Sequence, residues 1–210
     1  TGVQTCALPS YYASLGLRFM LLEISMIQRL VPFLGDPTYS LTVTLASILL
    51  FTGLGALLSK RFADRPRRAV VTSGLALLAL GIAYLFALNP ITDALLQTPF
   101  WFRVITTVLL LAPLGVCLGM FMPLGLGVVA GLGPHADEYV AWGWAVNGFF
   151  SVIGSVGTTI LAMAYGFRTV QVVALCVYGV AVLAFLALER AASGTNAEPV
   201  AEPSPEVVGA

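Results

Sequence analysis

GLRFMLLEISMIQRLVPFLGDPTYSLTVTLASILLFTGLGALLS, residues 16–59, decides how this chain folds. Two apolar runs of roughly 20 residues lie on either side of Gly35-Asp36-Pro37, each long enough to cross a hydrocarbon core of about 30 Å as helix. Asp36 precedes a proline and is pushed away from helical backbone, so the two runs read as spanning helices joined by a tight turn that ends at Tyr39. The first run carries Arg18, Glu23, Gln28 and Arg29. If that helix enters the bilayer near Tyr11 and leaves near Phe33, Glu23 falls close to the midplane. An ionised carboxylate there costs at least about 2.5–3.5 kcal/mol. A membrane location and one intramembrane polar site follow.

The rest of the 210-residue composition agrees. Hydrophobic residues make up 59% and charged residues 10%, against about 25% charged in soluble domains. Mean hydropathy is +0.95. The formal charge of zero hides an asymmetry: Lys60, Arg61, Arg65, Arg67 and Arg68 crowd one loop, while Glu198, Glu202 and Glu206 fall near the end. That basic patch is juxtamembrane and has no interleaved aromatics, which argues against a nucleic-acid partner. Cys117 and Cys176 lie inside apolar runs and read as small core residues rather than a disulfide framework. Cys6 belongs to TGVQTCALP, which resembles the translated read-through of a sequencing-library adapter. Residues 1–10 are therefore expected to be non-native, and the native chain to extend upstream of Tyr11.

Six apolar segments, approximately 11–33, 39–59, 69–88, 103–131, 140–165 and 168–188, are long enough to span. The expected fold is an all-α membrane protein, a polytopic bundle of about six helices over 11–190 with a disordered tail over 191–210. KRFADRPRR, residues 60–68, faces the cytoplasm by the positive-inside rule. Alternation then places both ends in the cytoplasm, as in a bacterial inner membrane. The third segment is uniformly apolar and reads as lipid-facing. The fourth carries Pro113 and Pro123 with Gly115, Gly119, Gly125, Gly127 and Gly131, which points to a helix broken at membrane depth or, alternatively, to close packing around kinks.

At about 100° per residue Arg18 and Arg29 share a face, near opposite interfaces where both can snorkel. Glu23 lies about 140° from Arg18 and needs a partner on another helix. Two roles are open to it: an interhelix hydrogen bond, or the handling of a proton, ion or substrate. Asn147, Ser151, Gly154, Ser155 and Thr158 form a small polar stripe suited to docking the first helix, with Asn147 as the expected partner of Glu23 or Gln28. His135, beside Asp137 and Glu138, lacks a second imidazole or thiol and reads as a solvated loop residue rather than a metal ligand. No catalytic constellation and no cofactor motif is found.

Residues 16–59 resemble the membrane part of bacterial fused MFS/spermidine-synthase-like proteins, whose run GxGFMxxEIxxxQRxxxFLGHPxYxLxVxLxxLLxxSGxGS follows a cytosolic aminopropyltransferase-like domain. MPLGLG at 122–127 and the segment 141–167 are similar to later parts of that family. The match carries Glu23, Gln28, Arg29, Gly35, Pro37, Tyr39, Gly53, Gly55, Pro123, Gly125, Trp142, Asn147 and Gly148, and departs at Arg18, Asp36 and Ala56, where glycine, histidine and serine stand in the family. The resemblance implies a soluble domain upstream that uses a decarboxylated S-adenosylmethionine-type substrate. The expected task of the membrane module is to anchor this domain, with passage of a polyamine or similar cationic metabolite as a further one, in which Glu23 would be the cation-binding or proton-coupled carboxylate. Two alternatives stand beside it. KRFADRPRR is similar to the basic loop between helices two and three of major-facilitator carriers, GxxADRxGRR, which suggests half of a secondary transporter. A non-catalytic membrane scaffold is the other.

Overall fold

The structure, a computed structural model, describes residues 2–130 and 136–195. It consists of six long helices: α1 (Gly2–Leu34), α2 (Pro37–Ser59), α3 (Pro66–Ala94), α4 (Phe100–Ala130), α5 (Ala136–Tyr165) and α6 (Phe167–Thr195), with no strand among the described residues. Five of them, all but α1, are long and apolar enough to cross a membrane by length and composition. α1 carries the four polar residues of the opening motif and occupies the middle of the bundle, packed on α2, α4, α5 and α6. At 33 residues it is about 50 Å long, more than a bilayer core requires. α1 begins at Gly2, and Ala7 and Leu8 are buried. Thr1, residues 131–135 with His135, and the expected tail from residue 196 onward lie outside the described residues.

The turn after α1 is built as its sequence suggests. Gly35 takes φ +86°, which a side chain resists. The Asp36 carboxylate accepts from the Thr38 amide at 2.7 Å and caps α2, and Pro37 fills its first turn. Arg103 of α4 ties the turn down by donating to the Phe33 carbonyl at 2.8 Å, and Tyr39 stacks obliquely on Phe100 at 5.0 Å.

α4 corrects one expectation. It runs as a single α-helix with Pro113 and Pro123 inside, not as a broken one. Its glycines serve contact instead. A Cβ on Gly115 would fall 2.6 Å from the Phe51 Cβ, and one on Gly119 would fall 2.0 Å from the Thr52 carbonyl oxygen. α2 therefore lies against α4 nearly backbone to backbone, and Gly55 returns the contact against Val116. Two tyrosine hydroxyls donate to carbonyls beside the prolines: Tyr84 to Leu110, and Tyr11 to Phe121 at 2.7 Å. The Tyr11 ring fills the notch at Gly125. α3 is likewise not only a lipid-facing span. Leu75, Leu78, Ile82 and Phe86 point outward, but Gly74 and Gly81 admit Val182 and Leu175 of α6. Cys117 is half-buried and Cys176 is exposed on the outer surface, so only the first comes near the expected core position.

Candidate functional site

Arg18 departs most from its expected place. It is 2% exposed and does not snorkel. Its guanidinium carbon sits 4.0 Å from the ring centres of both Phe121 of α4 and Tyr178 of α6, a double cation–π clamp. Nε and Nη1 have no hydrogen-bond partner. An interior charge without a counter-charge is costly, so a position like this calls for an explanation beyond packing. The helical wheel gives the direction of Arg18 correctly but not its depth: Tyr178 of α6 and Phe121 of α4 cover it.

Arg18 also lines a cavity of about 610 Å³ between α1, α2, α4 and α5. Leu15, Phe19, Leu49 and Met122 supply apolar wall. Thr52, Asn147 and Ser151 are its other polar residues, and Trp144 stands at its rim with 56% of its surface open. The cavity lies in the half of the bundle nearer the basic loop, since its α2 wall ends at Ala56 and the loop opens at Lys60. Asn147 is therefore placed with Arg18, not with Glu23 or Gln28. Its carbonyl abuts Gly16, where an added Cβ would fall 2.2 Å away. Glu23 is seven residues further along α1, about 10 Å in rise. The α5 stripe does dock α1, through Gly143 on Tyr12, Asn147 and Ser151 on Gly16, and Gly154 on Leu17. Ser155 is turned into its own helix, donating to Val152 at 2.8 Å.

Glu23 is 6% exposed, and its Oε1 has no partner. Ser40 of α2 donates to the Ile27 carbonyl at 2.5 Å, which sets the antiparallel register of α1 and α2. One turn on, that register brings Thr44 level with Glu23. Thr44 is fully buried, and its hydroxyl is also unpaired. Gln28 instead faces outward over a shallow groove shared with Ile24, Thr159, Ala162 and Phe167.

Arg29 is half-buried and is tied to α3 and α6. It donates to the side chains of Gln171 and, at 2.8 Å, Asn89, and to the Tyr84 carbonyl at 3.4 Å. Gln171 passes the chain on to the Gly81 carbonyl at 3.3 Å. Sequence reasoning missed Asn89, Gln171, Tyr84, Phe121 and Tyr178. Asn89-Pro90 looks like the start of a loop, yet α3 continues to Ala94. Among the described residues no cluster of three or more metal-ligating side chains occurs.

Long apolar helices packed around one polar, largely buried helix define a multi-pass membrane protein. The family model of the Major Facilitator Superfamily matches residues 5–208, and the chain belongs to that superfamily. Neither the curated proteins nor the solved structures contain a match to it.

Proposed function

We propose that this chain is one six-helix half of a secondary transporter, and that a small solute passes through the cavity walled by α1, α2, α4 and α5. The observation that carries this reading is the cavity itself, with a buried and unpartnered Arg18 on its wall. Membership of the superfamily over most of the chain supports it. The basic loop at 60–68 supports a cytoplasmic mouth and an inner-membrane location. Glu23, an interior carboxylate with an unpaired oxygen, is proposed as the group that carries a coupling proton. A fusion to an aminopropyltransferase-like domain rests on the motif at 16–59 alone.

The test is solute counterflow in liposomes by two copies of the full chain joined in tandem, so that both six-helix halves are present, with Gly53→Trp as the blocking variant. Gly53 lines the cavity and has nothing within 4 Å of an added Cβ, so the indole fills the passage without clashing with backbone. Counterflow of one or more solutes, stopped by Gly53→Trp, is the expected result. A chain that inserts and folds normally yet moves no carboxylate, phosphate, amino acid or polyamine overturns the transport reading. Glu23→Gln with unaltered proton-driven uptake removes Glu23 from the mechanism.

A further inference from the structure

Arg18 is the only ionisable side chain among the cavity's lining residues. Among the described residues no carboxylate lies within 4.0 Å of it, and Glu23 is directed elsewhere on α1. Arginine stays charged in essentially every protein setting, so losing its proton is not an escape. Phe121 and Tyr178, their ring centres 5.8 Å apart, flank the guanidinium on two adjacent sides, where their π electrons attract it. Nε and Nη1 stay without a hydrogen-bond partner. The bundle thus holds a fixed positive charge at the cavity wall, with Nε and Nη1 buried and bonded to no acceptor.

We propose that the cavity binds an anionic solute, a small apolar or aromatic body bearing a carboxylate or phosphate, with Arg18 as its charge ligand. A carboxylate or phosphate oxygen supplies both the counter-charge and the acceptors that Arg18 lacks. The apolar wall and Trp144 accommodate the remainder of the molecule. The exposed Lys60 at the adjoining groove, which shares Pro123 with the cavity, adds positive potential toward the same mouth. A polyamine, the cargo expected from the sequence, finds a like charge at Arg18 and no carboxylate in the lining. The inference rests on the cavity being the solute path, and it names the class of solute.

The experiment uses the full chain with Cys6, Cys117 and Cys176 replaced by serine and Ala56→Cys on the cavity wall, in phosphatidylcholine vesicles. Labelling rates are compared for an anionic (ethylsulfonate) and a cationic (ethyltrimethylammonium) methanethiosulfonate, each relative to its rate with a free thiol. The anionic reagent is expected to be favoured by about tenfold or more. Benzoate should slow it while benzylammonium does not, Arg18→Gln should bring the ratio close to one, and Arg18→Lys should keep most of it. Equal rates, a preference for the cation, or a preference that survives Arg18→Gln overturns the inference while leaving the cavity intact. If Arg18→Gln fails to fold, the parent ratio and the benzoate competition decide alone. No labelling by either reagent brings down the transport cavity as well. A preference and benzoate protection that vanish when phosphatidylglycerol is added assign Arg18 to a lipid phosphate and overturn the solute.

Discussion

Replacing Gly119 with alanine is the sharpest probe of how α4 works. Its added Cβ would lie 2.0 Å from the Thr52 carbonyl oxygen and 2.7 Å from the Thr52 carbonyl carbon and Cα. All three are backbone atoms of α2, so no rotamer change relieves the clash. Reaching even the 3.0 Å limit of real contacts requires α2 to retreat by 1.0 Å (3.0 minus 2.0). Overpacking of that kind costs about 1–3 kcal/mol. Gly127, two turns further along the same helix, has nothing within 4 Å of an added Cβ. There alanine brings only its better helix propensity, worth up to about 1 kcal/mol. Unfolding of the two variants in mild detergent, followed by far-UV circular dichroism, should show Gly119→Ala with a lowered midpoint and Gly127→Ala at or above the parent. Had the glycines been there to break the helix, both alanines would stabilise it. A Gly119→Ala protein as stable as the parent, or equal losses at both sites, refutes the packing account.

The other expectations are more local. Arg29→Met strips partners from Gln171, Asn89 and the Tyr84 carbonyl together, and should cost about 2–3 kcal/mol in the same unfolding assay; a loss below 0.5 kcal/mol, on the order of an exposed pair, would contradict the network. Asp36→Ala should cost about 1 kcal/mol through loss of the α2 cap, and Asp36→Asn should restore most of it. The Arg67–Glu189 pair, 3.8 Å apart with Arg67 exposed and Glu189 half-buried, should contribute about 0–1 kcal/mol and fade in high salt, read from the Arg67→Gln midpoint at two ionic strengths.

Particular residues show what was legible in the sequence. The six helices and the turn at 35–37 come directly from apolar run length and from Gly35, Asp36 and Pro37, because hydrophobic thickness and backbone sterics act locally. The α5 stripe was legible for the same reason, as small residues at helical spacing mark a close approach. Depth in the bundle was not. Arg18 looks like a snorkelling residue until α4 and α6 are known to cover it with Phe121 and Tyr178. The Asn147–Glu23 pairing failed because side-chain chemistry gives no register between two helices; the Gly16 contact sets it. The break in α4 failed because proline and glycine carry the same signature whether they unwind a helix or let a neighbour in. One signal was available for Arg29: an intramembrane arginine needs acceptors, and Asn89 and Gln171 are amides at helix ends on the same predicted side.

Counterflow of benzoate and of spermidine by the tandem parent chain and by its Arg18→Gln form, in matched liposomes, tests most directly whether the Arg18 cavity is the functional site. Benzoate exchange in the parent, lost in Arg18→Gln, with no spermidine exchange in either, is the expected result. Spermidine exchange that persists without Arg18 contradicts it, and returns the chain to the cationic cargo that its sequence suggests.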